Sequence, residues 1–127
     1  MSHVWGYAAG LDMTRRDLQA EAKKAGRPWD MGKGFDHSAP IGDMVPADGV
    51  KPGRIELKVN GEVRQSSDVS KLIWSIPETI AYLSKLVRLE AGDLIFTGTP
   101  EGVAAVRRGD VLEGTVDGVG TVRVRIV

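Results

Sequence analysis

Apolar residues interrupted only by glycines run from Val4 to Leu11. A run of this kind, without polar alternation, predicts a buried strand. The pattern breaks at Asp12 and changes period. Leu18, Ala22 and Ala25 then recur at helical spacing, while Arg16, Gln19 and Lys23 fall almost opposite them. The spacing predicts a helix over 14–25, with Thr14 as N-cap and Asp17 placed to complement the free N–H groups of the first turn. Beyond it, Gly26 to Gly53 is rich in Gly and Pro and predicts irregular backbone, with Lys33 alone among glycines in a loop.

Regular patterning returns at Ile55. Ile55–Val59 and Val63–Gln65 flank Asn60-Gly61, the strongest short hairpin signal in the chain. Ser75-Ile-Pro-Glu78 has the form of a capping box with an early proline, and opens a predicted helix to about Val87. Its stripe of Ile76, Ile80, Leu83 and Val87 reads as core. Gly92-Asp93 and Gly109-Asp110 are turns feeding strands at Leu94–Thr97 and Val111–Val116. Val119–Val127 alternates, with Arg123 and Arg125 outward, as a strand paired to its predecessor across Asp117-Gly118. The expected architecture is a β-rich α+β domain of mostly antiparallel strands with two short helices.

Composition narrows the functional classes. The chain has 127 residues, enough for one domain, with 17 Lys plus Arg against 17 Asp plus Glu and no run of like charge. A nucleic-acid or anionic-membrane partner is therefore not indicated. Cysteine is absent, which excludes disulfides and thiolate metal sites. No apolar run reaches a membrane span, and no signal peptide is recognisable, so a soluble cytoplasmic protein is the expectation.

Three places offer chemistry. Asp12 sits where the first strand ends, with Arg16 and Gln19 on the following helix. A carboxylate, a guanidinium and an amide converging at a strand end suit a metal ion and an acidic substrate, although an Asp before a helix is more often only a cap. Lys33 could approach a bound anion closely, or be a plain surface lysine. Leu94-Ile-Phe-Thr-Gly-Thr-Pro presents an N–H and the Thr99 hydroxyl at a strand end, or forms only a tight turn. His37, in the same loop as Lys33, has no orienting carboxylate beyond its neighbour Asp36, and His3 lies at the terminus.

Gly6, Tyr7, Asp12, Thr14, Arg16, Asp17, Leu18 and Gln19 match a strand-to-helix signature of the fumarylacetoacetate hydrolase family, which this chain resembles. The resemblance extends through Lys33-Gly-Phe-Asp-His-Ser-Ala-Pro-Ile-Gly42, in the form found in acylpyruvate hydrolases. Val59–Gln65, Ser75–Ser84 and Thr97-Gly-Thr-Pro-Glu-Gly-Val103 extend it over nearly the whole chain. It implies a metal ligand at Asp12, a cationic catalytic group at Lys33, and substrate contacts from Arg16, Gln19 and Thr99. It implies Mg²⁺, or Mn²⁺ or Ca²⁺ in its place, a small diketo acid as substrate, and a homodimer.

The expected activity is metal-dependent hydrolysis of a carbon–carbon bond in an acylpyruvate, of the kind met in aromatic catabolism. Oxaloacetate decarboxylation and hydroxymuconate isomerisation stand as alternatives within the family, and a non-catalytic remnant stands outside it. One departure matters. Family members carry two further metal carboxylates in a Glu-x-Glu segment, and a water-activating His–Glu pair earlier still. Neither is present among these 127 residues. The expectation is a single domain, residues 1–127, that is the C-terminal part of such a catalytic domain.

Overall fold

A computed structural model describes residues 1–127. Its centre is a four-stranded antiparallel sheet in the order β4-β3-β5-β6, formed by β3 (Arg54–Val59), β4 (Glu62–Asp68), β5 (Val111–Val116) and β6 (Gly120–Arg125). β3 and β4 close over Asn60-Gly61, whose φ angles of 52° and 84° give the left-handed pair that a two-residue hairpin demands. The hairpin and β5 lie where the sequence puts them, and Arg123 and Arg125 face solvent. β4 runs three residues beyond Gln65, to Asp68.

The sheet has one apolar face. Leu57 and Val59 of β3 lie opposite Gly114 and Leu112 of β5, which in turn lie opposite Val122 and Val124 of β6. The core is small: Ala9, Leu11, Val59, Leu112 and Val122 form one buried cluster, with Met13, Leu57 and Val124 packed against it. Leu11 crosses this face at Gly114, where an added Cβ would stand 2.9 Å from its Cδ2. That close approach seats Leu11 in the core. The next residue, Asp12, is exposed.

The segment from Val4 to Leu11 is extended but is not one continuous strand. Only β1 (Gly6–Tyr7) ladders, against β2 (Val45–Pro46), with a single further bridge between Gly10 and Ile41. The partner stretch contains Pro40 and Pro46, which have no N–H to give. Contact survives at alternate residues, where Leu11 N–H donates to Pro40 O and Met13 N–H to Ser38 O.

Three α-helices form, not two, besides a short 3₁₀ helix at Val69–Lys71. α1 spans Arg16–Lys24, α2 spans Asp30–Lys33 and α3 spans Ile76–Leu83. The N-cap of α1 is Arg15, with no side-chain cap bond, because the Thr14 hydroxyl is engaged elsewhere. Lys33 ends the one-turn helix α2 and does not lie in open loop. Ser75 and Glu78 make the full reciprocal capping box on α3.

Three expectations fail here. Leu94–Thr97 is irregular, because no other strand lies alongside to complete a ladder. The helix expected to reach Val87 stops at Leu83, and its stripe is not core: Ile76, Ile80 and Leu83 are half-buried, Val87 beyond the helix is exposed, and no residue of α3 is buried. Ile73, Trp74, Tyr82 and Leu86 beside it are exposed too.

Candidate functional site

Packing of α2 against α1 builds the first wall of the site. Gly32 is buried at that crossing, where a Cβ would stand 3.2 Å from Gln19 N, and its carbonyl accepts from Arg15 N–H at 2.9 Å. The Arg15 guanidinium lies 4.5 Å over the Phe35 ring and pins the far side of the turn. These contacts bring the next residue, Lys33, back onto the strand end that precedes α1.

There Lys33 Nζ donates to Asp12 Oδ2 at 2.8 Å and to Thr14 Oγ1 at 2.9 Å. Thr14 Oγ1 in turn donates to the Asp12 carbonyl at 3.3 Å. Two residues 21 apart in sequence thus form one ion pair, open to solvent, with the Asp12 side chain 47% exposed. The other Asp12 oxygen accepts no hydrogen bond. One turn on, Arg16 Nη1 donates to Gln19 Oε1 at 3.1 Å, which holds guanidinium and amide side by side.

The opposite wall is the segment 98–106. Gly102, with φ of 99°, packs on β4 so closely that a Cβ would lie 2.2 Å from the Arg64 carbonyl. Only glycine fits there. Gln65, buried on β4, donates from Nε2 to Thr99 Oγ1 at 2.8 Å and to the Pro100 carbonyl at 2.5 Å. Asp12, Arg16, Gln19, Lys33 and Thr99 all line one open cleft of about 1080 Å³. His37 does not line it: it is exposed, with a left-handed φ of 62°.

Sequence reasoning missed Gln65. Its prior signals are a polar side chain close to the hairpin turn, which equally suits a solvated strand edge, and a place in the family-like Val59–Gln65 run, which gives it no role of its own. At the cleft rim, Asp110 is held below the ordinary aspartate value of 3.8, first by the Arg107 backbone N–H and then by the Asn60 side chain. No three His, Cys, Asp or Glu side chains gather into a metal-binding group. Asp12 is the one acid paired with Lys33, and a hard cation on it would keep much of its water shell.

This geometry can be set beside known proteins. All of residues 1–127 match the family described as fumarylacetoacetate (FAA) hydrolase C-terminal. The chain belongs to the fumarylacetoacetate hydrolase family. A fumarylpyruvate hydrolase from Ralstonia sp. is 51% identical over 125 residues, covering 97% of this chain and 65% of that protein. The mitochondrial oxaloacetate tautomerase FAHD1 of Rattus norvegicus is 48% identical, covering 99% of this chain and 58% of its own length. The crystal structure of a fumarylpyruvate hydrolase from Pseudomonas aeruginosa, in complex with Mn²⁺ and pyruvate, superposes with a TM-score of 0.94 at 56% identity. It covers 99% of this chain and 55% of that one. The chain thus spans between half and two thirds of the length of these relatives.

Proposed function

We propose that the chain carries part of the active site of a metal-dependent hydrolase that splits a carbon–carbon bond in an acylpyruvate. The observation that carries this reading is the Lys33 ammonium held 2.8 Å from the Asp12 carboxylate in a cleft also lined by Arg16, Gln19 and Thr99. Asp12 would hold a divalent cation, Mg²⁺, Mn²⁺ or Ca²⁺, through the oxygen that Lys33 leaves free. When bound, that cation supplies Lewis-acid polarisation of the substrate's oxygens. Binding to the relative from Pseudomonas aeruginosa of both Mn²⁺ and pyruvate supports the assignment.

The chain's own groups then divide the work. Arg16 offers the guanidinium donors that Gln19 does not take, Gln19 offers its amide NH₂ to the substrate's polar end, and Thr99 offers a hydroxyl to a carboxylate. Water adds to the carbonyl distal to that carboxylate. The bond from this carbon to the neighbouring methylene breaks, its electron pair passes into a pyruvate enolate, and the distal fragment leaves as a carboxylic acid. Lys33 places a full positive charge beside the enolate oxygen as charge develops there. Protonation of the enolate carbon gives pyruvate and balances the hydrolysis.

A second reading is favoured by the oxaloacetate tautomerase, whose 48% identity nearly equals that of the hydrolase. The same cleft would stabilise the enol of oxaloacetate without adding water. Product analysis by NMR separates the two, using the chain supplemented with the remainder of the Ralstonia relative. Acylpyruvates should yield pyruvate and the matching acid in a metal-dependent way. Enolisation of oxaloacetate with acylpyruvates untouched would give the site to the second reading, and no metal-dependent chemistry on either would overturn both.

A further inference from the structure

Gln65 sits on the wrong face of the sheet for a polar residue. The register of β3 against β4 shifts between Leu57 and Lys58, so that Lys58 pairs with Val63 but Leu57 pairs with Gln65. Arg64 is the extra residue of a β-bulge, a device that re-aims a side chain. Without the bulge Arg64 would lie opposite Leu57, on the apolar face. With it, Gln65 turns onto that face and is buried, its Cγ 3.5 Å from where a Gly102 Cβ would stand.

The chemistry of its partners fixes the amide's orientation. The Pro100 carbonyl can only accept, so the group facing it at 2.5 Å is the NH₂ and not the oxygen. The same nitrogen lies 2.8 Å from Thr99 Oγ1. One N–H serves each acceptor. A threonine hydroxyl has one donor and two acceptor positions. With one acceptor position filled by Gln65, and no acceptor for its own proton among the chain's hydrogen bonds, Thr99 keeps its O–H for the cleft.

We propose that Gln65 is a positioning residue that fixes Thr99 as a hydrogen-bond donor toward the cleft, and so selects a carboxylate-ended ligand over one ending in a neutral amide. This rests on the reading of Thr99 as a carboxylate contact. With its proton free for the cleft, the Thr99 hydroxyl bonds more strongly to a charged carboxylate oxygen than to a neutral amide carbonyl, which sets the preference.

The test has a ligand-free arm and a ligand arm, both on the 127-residue chain. In the first, the Gln65 side-chain amide protons are followed by NMR. T99V should shift and deprotect one of the pair and leave the other on the Pro100 carbonyl. If neither proton responds, the Gln65–Thr99 contact is absent and the proposal is overturned.

In the second arm, pyruvate and pyruvamide are titrated in the presence of Mg²⁺. T99V and Q65M should each weaken pyruvate about tenfold, the scale of one hydrogen bond to a charged group. The double variant should be no weaker than T99V, and the preference for pyruvate over pyruvamide should collapse in all three. Q65E, whose carboxylate would draw the Thr99 proton away from the cleft, should bind pyruvate more weakly than Q65M. Additive losses in the double variant would make Gln65 a merely structural residue and overturn its role. Wild-type binding that T99V leaves unchanged would instead overturn the Thr99 reading, while the ligand-free arm still reports on the contact. Far-UV circular dichroism of Q65M and Q65E guards against a folding defect, and Q65M alone suffices if Q65E unfolds.

Discussion

Asp12 and Lys33 share one ion pair, yet their removal should act on a metal in opposite directions. Asp12→Asn takes away the carboxylate and should abolish Mn²⁺ binding by the chain. Lys33→Met frees the second Asp12 oxygen from a competing cation, so Mn²⁺ affinity should hold or rise while turnover in the supplemented enzyme falls by about 10²–10³. Water-proton relaxation reads the first effect, and equal losses of Mn²⁺ affinity in both variants would contradict the division of roles. Folding stability should barely respond to Lys33→Met, since an exposed ion pair contributes about 1 kcal/mol at most. Three other carboxylates carry pH dependence. Glu78 is held below its ordinary 4.5 by the Ser75 hydroxyl and then the Ser75 N–H. Asp68 is lowered by the Ser70 hydroxyl and N–H, and Asp110 by Arg107 N–H and Asn60. Because the folded values are depressed, their stabilisation is fully present above 4.5 for Glu78 and above 3.8 for the two aspartates, and is lost as pH falls through the folded values. The Tm difference between wild type and Glu78→Ala should therefore be constant near neutrality and close in acid. A difference undiminished in acid would show that the charge of Glu78 is not what stabilises the cap.

At the scale of elements, the turns and the outward arginines of β6 were legible, and the bulge in β4 was not. Asn60-Gly61 announces its hairpin because few other residues adopt two successive left-handed conformations. The Gly61 Cβ position is empty of neighbours, so Gly61→Ala costs only backbone strain, about 1 kcal/mol in chemical denaturation. Gly102→Ala is different in kind. It adds a 2.2 Å clash with the Arg64 carbonyl to the strain, and should lift the Thr99 segment off β4 and weaken pyruvate binding as well as stability. Pyruvate affinity equal to wild type in Gly102→Ala would mean that the 98–106 wall is held by other contacts. Asp12, Arg16, Gln19, Lys33 and Thr99, singled out by the family resemblance, all line the one cleft. Gln65 could not be singled out, because its place depends on a bulge one residue away that no local pattern marks. Thr14 misled for a related reason: its hydroxyl looks like a cap until Lys33, 19 residues later, claims it. Leu94–Thr97 has a strand's composition, but composition cannot supply the neighbour a ladder needs.

Across the whole molecule, nine of 127 residues are buried, which is too few to cover the apolar side chains that the chain carries. Ile73, Trp74, Tyr82, Leu86 and Val87 stand exposed around α3. The isolated chain should bind a hydrophobic dye and show a sedimentation coefficient that rises with concentration, whereas Ile73→Glu with Leu86→Glu should suppress both. By itself it should also turn over acylpyruvate poorly, having only the proposed ligand Asp12 where the family resemblance implies three carboxylates. Robust Mg²⁺-dependent turnover by the chain alone would overturn that account. The order β4-β3-β5-β6 has a kinetic meaning as well. Both hairpins are local and should zip within microseconds. The seam between β3 and β5 is not local: Asn60 and Val111, bonded across it, are 51 residues apart. Closing a flexible loop of 51 residues costs about 3.5 kcal/mol of chain entropy before any constant term, and doubling it adds only about 0.6 kcal/mol. Thr99 lies within that loop and Gln65 on one of the hairpins that bound it, so the cleft has no second wall until the seam has shut. During refolding, the capacity to hold pyruvate should therefore return later than amide protection of the hairpins, as a separate and slower phase.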